Sequence, residues 1–203
     1  SVFATVSVGV LLIAWRIPTD RLRGIVRQSV PVLGIAVVFD LVAGLTFEKR
    51  LDDLLAAEAV LVLLPAFLGT AGALGAILSS RLSTQFHLGL DDASPVPSRS
   101  SMGNIVDLVV LAVPVFVVGA LVAHLVAQAT GQSSPSFADL VVVMILAGGL
   151  VTVLMVFVAY YTTMGAFRFG LDPDTYGIPM VTSTLDLVGA FALVLAMVAV
   201  GVA

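Results

Sequence analysis

Charged residues are missing from this chain over stretches long enough to cross a bilayer, and that constrains its fold more than any other feature. Apolar runs with almost no charge occupy residues 2–16, 30–47, 57–80, 104–128, 138–165 and 177–202. A spanning helix needs roughly 20 mostly apolar residues, and lipid leaves every backbone polar group to be satisfied within the protein. The expectation is an all-α integral membrane protein with about six transmembrane helices, multi-pass in the cell membrane, its main partner the lipid bilayer. Composition agrees. Of the 203 residues 60% are hydrophobic and 11% charged, whereas a soluble domain carries about a quarter charged residues. The run at 2–16 is the shortest, ends at Arg16, and lacks the basic start and cleavage site of a signal peptide, so it reads as a span.

The connectors carry turn and breaker residues: Pro18 with Asp20, the charged stretch 48–53, and Pro95 with Pro97. None is long enough for a soluble domain, so the function lies within the membrane. Basic residues favour the cytoplasmic side. Arg16, Arg21, Arg23 and Arg27 precede the second run, Arg81 and Arg99 lie between the third and fourth, and Arg168 between the fifth and sixth, against Lys49 and Arg50 on the other side. This split predicts both chain termini outside. A net charge of -4 without clustered Lys and Arg argues against a nucleic-acid partner. The absence of cysteine excludes disulfides, thiolate metal sites and cysteine nucleophiles.

An ionisable residue at mid-depth costs roughly 2.5–3.5 kcal/mol on insertion scales, so each one calls for a reason. Asp186 is near the middle of 177–202, and Asp40 is well inside 30–47. Asp107, Asp139 and Glu58 lie near helix starts, where a carboxylate suits the helix dipole, and His124 reads as interfacial. Pro179, Thr182, Ser183, Asp186 and Gly189 or Ala190 share one helix face by their spacing. Pro179 also cannot bond the carbonyl of Thr175. Carboxylate, hydroxyl and carbonyl oxygens are the donors a hard cation takes; a helix-packing stripe is the plainer alternative. After Pro65, the residues Gly69, Gly72, Ala73, Ala76, Ser79 and Ser80 form a small-residue stripe that would let another backbone approach closely.

Two stretches carry a resemblance. Residues 63–89, LLPAFLGTAGALGAILSSRLSTQFHLG, and 170–189, GLDPDTYGIPMVTSTLDLVG, resemble the transmembrane domain of the MgtE magnesium channel family, its archaeal and solute-carrier-family-41-like members above all. The proline before a glycine-rich turn, the SRLST run with its His, and the DPD-IP-T-D-G spacing carry it. The resemblance divides the chain into an extra N-terminal helix with a basic loop at 1–29 and a five-helix cation-transport domain at 30–203. It implies transport of a divalent cation, with Mg2+ as the transported ion, through a pore at a two-fold interface lined by the helices 57–80 and 177–202. The partner would be a second copy in a homodimer or a second homologous half. It further implies Asp186 as the pore carboxylate, with Thr182 beside it on the metal, and Pro65, Gly69, Gly72, Ala73, Pro179 and Ser183 lining the path. Ala73 departs from the Asn usual in the family. Asp40 is a candidate coupling residue, expected to lie away from the other two stripes.

Two other functional classes fit parts of the pattern. An intramembrane aspartyl protease would use Asp40 and Asp186 as a carboxylate pair, but the glycine-x-glycine-aspartate signature is missing at Ser183-Thr184-Leu185. A non-transporting assembly subunit would accommodate Ala73. No catalytic residue and no enzyme activity is expected.

Overall fold

The computed structural model describes residues 20–48, 58–132 and 134–202. Within them are five helices and no strand: α1 (Asp20–Glu48), α2 (Glu58–His87), α3 (Arg99–Thr130), α4 (Phe137–Arg168) and α5 (Pro173–Val200). The chain is thus an all-α membrane protein. Four helices are long and apolar enough to cross a membrane, α2 from Leu63 onward and all of α3, α4 and α5, while the apolar part of α1, Ser29–Leu45, is shorter. The expected span at 2–16 and the connector with Lys49 and Arg50 lie outside the described residues.

Each helix outruns its uncharged stretch, because a charge at headgroup level does not stop a helix. Capping residues do. Past Arg81, α2 continues to His87 and closes where Gly89 adopts φ +67°, with the Leu90 amide reaching back to the Gln85 carbonyl at 3.0 Å. Ser98 begins α3 by accepting from the Ser101 amide, and Gly131 ends it at φ +70°. Ser136 caps α4 in the same way, and its hydroxyl donates to Asp139, which confirms a local helix-start role for that aspartate. In the DPD run, Asp172 caps α5 and Pro173 takes the first helical turn, where its missing N–H costs nothing.

The helices pack as a bundle around α5. Its principal neighbours are α4, α2 and α1, and α1 makes its main contacts with α5 alone. On α1, Val32, Ala36 and Ala43 are buried at helical spacing, while Leu33, Val37, Val38 and Leu41 stay exposed for lipid. The shared core of α2 to α5 is built from large side chains such as Phe67, Leu78, Phe116, Met144, Tyr160 and Leu185, all at most 2% exposed.

The α2–α3 connector is a built structure. Asp91 is buried and accepts hydrogen bonds from the hydroxyls of Ser98 and Ser101, while the Tyr160 hydroxyl donates to the Ser94 carbonyl at 2.7 Å. Burial opposes ionisation of Asp91. The hydroxyls of Ser101 and Ser98 and the amides of Ala93 and Asp92 outweigh it, holding the carboxyl below its ordinary value.

Candidate cation path

Glycines set the contact between α2 and α5. A Cβ on Gly75 would come within 2.6 Å of both Leu185 and Val181, and one on Gly189 within 2.8 Å of Leu68. Near the other end, a Cβ on Gly177 would meet the Ser79 hydroxyl at 2.8 Å. These pairs run in opposite order along the two helices, so α2 and α5 are antiparallel and nearly in backbone contact.

Thr182 sits on this seam. A Cβ at Gly72 would lie 3.7 Å from its methyl carbon, ordinary van der Waals contact, so the glycine turn of α2 lies directly against it. Its hydroxyl donates to the Pro179 carbonyl at 3.1 Å, which leaves the oxygen lone pairs available as acceptors. One turn on is Asp186, half-buried, and among the described residues it makes no hydrogen bond or ion pair. The charged side chain it feels is that of Asp40.

That neighbour corrects an expectation. Asp40 was expected to lie apart from α2 and α5, yet α1 packs on α5, with Ala36 and Ala43 buried, and the exposed Asp40 between them carries its charge into electrostatic range of Asp186. The physical reason is this packing of α1 on α5. Two carboxylates within electrostatic range of each other repel, and a cation between them relieves that repulsion.

The expected lining residues divide between two surroundings. Pro65, Gly69 and Ala73 are exposed along one face of α2, Pro179 is half-buried, and Gly72 and Ser183 are buried within the chain. Among the described residues no group of three or more His, Cys, Asp or Glu side chains comes together as a metal site. Oxygens near Asp186 are therefore few: its own carboxylate, that of Asp40 within electrostatic range, and the Thr182 hydroxyl one turn away.

One constellation had no reading from sequence. Ser79 and Thr163, both fully buried, share a hydrogen bond of 2.7 Å across α2 and α4, and Gly177 of α5 provides the space for it. The only local signal was a hydroxyl in each of two apolar helices. His124 lies toward the far end of α3, its Nε2 paired with the Gln128 amide nitrogen at 3.0 Å and its ring tilted against Phe137. Arg81 reaches Asp107 at 3.8 Å on the exposed surface, a contact of small energetic weight.

The family model for the divalent cation transporter MgtE matches residues 64–196. Comparison with curated proteins and with solved structures finds no match. The matched stretch takes in most of α2, all of α3 and α4 and nearly all of α5, including Pro65, Asp172, Thr182 and Asp186, and leaves out α1 with Asp40. It covers more than half of the 203 residues, and the chain therefore belongs to the MgtE family of divalent cation transporters.

Proposed function

We propose that this protein moves Mg2+ along a path between α2 and α5, with Asp186 as the carboxylate that holds the ion. The family is one of divalent cation transporters and not of enzymes. The observation that carries the finer reading is Asp186 itself, a half-buried acid in the middle of a spanning helix with no basic or hydroxyl partner among the described residues and a second carboxylate, Asp40, as its charged neighbour. Mg2+ takes oxygen ligands at about 2.0–2.1 Å in an octahedron and sheds water reluctantly. With so few protein oxygens near Asp186, the carboxylate acts largely through bound waters, and Thr182 and backbone carbonyls complete the path.

A second copy of the chain, or a homologous half, completes the pore. The support is the open α2 face of Pro65, Gly69 and Ala73, small residues on which another helix can close. Two copies of Asp186 across a two-fold axis would supply -2 to a +2 ion. The arginine distribution supports a cytoplasmic start for α5, with both termini outside. Labelling of cysteines introduced at Ser98 and Ser133 from opposite faces, Ser98 from the cytoplasm, tests that orientation.

Asp186→Asn keeps the size and removes the charge. It should abolish Mg2+-dependent thermal stabilisation and Mg2+ flux in liposomes while the protein still inserts and assembles. Asp40→Asn should weaken Mg2+ binding only several-fold, because it removes a neighbouring charge and not the ligand. An Asp186→Asn protein that binds and transports Mg2+ like the parent refutes the assignment.

A further inference from the structure

The end of the bundle where α2 stops and α5 starts holds a second group of metal-ligand side chains, well away from Asp186 along α5. A cavity of about 330 Å³ is lined by His87, Phe167, Gly170, Leu171 and Asp172. His87 is the last residue of α2, and its ring is held on two sides. Nδ1 lies 2.8 Å from the Ser83 carbonyl, and the ring meets Phe167 edge-on, with centroids 5.3 Å apart. A carbonyl can only accept, so Nδ1 carries the proton, and in the neutral ring Nε2 is left with its lone pair. Metal-binding histidines show the same arrangement: one nitrogen donates to a carbonyl, which fixes the tautomer and aims the other at the ion.

Asp172 faces the same cavity with spare capacity. One oxygen accepts from the Asp174 amide and the other from the Thr175 hydroxyl, as the α5 cap requires. A carboxylate has about four lone-pair positions, so two remain. Capping also holds the side chain in one rotamer at no further entropic cost.

We propose that His87 and Asp172 form a binding site for a borderline transition-metal cation, of the class of Zn2+ or Co2+, with water filling the remaining positions. An imidazole nitrogen separates this site chemically from the all-oxygen surroundings of Asp186. Imidazole suits Zn2+ and other later first-row ions, whereas Mg2+ takes oxygen. The site does not depend on the proposed role of Asp186. Placed where α2 ends and α5 begins, it lets a transition metal engage the two helices without entering the membrane.

The chain has two histidines, so the test is well isolated. The full-length protein, purified in detergent without a histidine tag, is titrated with Zn2+ by calorimetry and with Co2+ by visible absorption. The expected result is one ion per chain. His87→Gln keeps a donor for the Ser83 carbonyl and should lose that ion. Asp172→Asn keeps a good helix cap and should weaken binding about tenfold or more, the scale on which a metal site responds to loss of a supporting group. His124→Gln should bind as the parent does, and Asp186→Asn should keep the ion that His87→Gln loses. Metal-free melting temperatures that match the parent show that each variant is folded; should His87→Gln melt lower, Asp172→Asn decides. Three outcomes overturn the proposal: no binding by the parent, binding by His87→Gln equal to the parent, or loss of the ion in Asp186→Asn with retention in His87→Gln. The last would mean that the ion observed was the one on the transport path.

Discussion

The α2–α5 and α3–α4 contacts are made by the same device and differ in what that device brings together. Both bring two spanning helices close by placing glycine under a bulky or polar neighbour. In the α3–α4 pair, a Cβ on Gly148 would be 2.5 Å from the Phe116 ring, and one on Gly119 would be 2.8 Å from the Met144 methyl. The surroundings there are apolar apart from Thr152, and they include a groove of about 370 Å³ lined by residues such as Ile105, Val109, Phe116 and Ile145. In the α2–α5 pair, the glycines face Thr182, Ser79 and Thr163 as well as Leu185 and Val181. Lipid gives helices no hydrophobic reason to associate, so close packing holds both pairs together. Only the second pair gathers oxygen atoms where a cation could meet them.

The comparison breaks most visibly at Gly148. An added methyl there meets an aromatic ring whose neighbour Phe67, at 5.4 Å between centroids, restricts its retreat. Overpacking of this kind costs about 1–3 kcal/mol. Gly148→Ala should therefore lower the melting temperature in detergent more than any other substitution considered below. Mg2+-dependent stabilisation should survive in the folded fraction, because this contact lies on α3 and α4 and not on the proposed path between α2 and α5.

A smaller effect is expected at the polar joint. Gly177→Ala would push against the Ser79 hydroxyl and disturb its bond to Thr163, a loss of about 1 kcal/mol for one hydrogen bond. Ser79→Ala removes the obstructing oxygen. The double variant should be more stable than the sum of the single changes implies, a coupling that thermal melts in a double-mutant cycle would read. Strict additivity would mean that the three helices do not meet there as described.

Asp91 sharpens the contrast between the spanning helices and the connector that ties α2 to α3. Its folded value lies below the ordinary one, so its contribution is complete above the ordinary carboxylate range, about pH 4, and is lost as the pH falls from there through the lowered value. Asp91→Asn should cost about 1 kcal/mol at neutral pH and flatten this acid limb. A parent-like acid limb in the variant would assign it to other carboxylates.

The smallest change is expected one residue from the largest. Nothing lies within 4 Å of a Cβ on Gly149, so Gly149→Ala should leave stability unchanged or raise it by up to about 1 kcal/mol through helix propensity. A loss comparable to that at Gly148 would show that the two adjacent glycines are not on different faces.

Much of the architecture was legible in the residues because it is decided locally. Apolar runs against scattered arginines mark where helices cross, and the cap residues Ser98, Ser136 and Asp172 with the glycines at 89, 131 and 201 mark where they end. The expected boundaries fell short because they stopped at the first charge. Hydropathy marks the hydrocarbon slab, whereas a helix of 32 residues such as α4 extends beyond it.

By itself the sequence determined that this is a helical membrane protein with an isolated acid, Asp186, in the middle of its last helix. Its two motif stretches also point to the family that the match over 64–196 establishes. Tertiary structure alone decided that α1 packs on α5, so that the exposed Asp40 lies within electrostatic range of Asp186. It also decided that Gly72 lies under Thr182 while Gly69 stays open, and that Ser79 finds Thr163. Helical periodicity tells which residues share a face. In a bilayer, where lipid is as apolar as any helix, only the fit of one surface against another decides what that face meets.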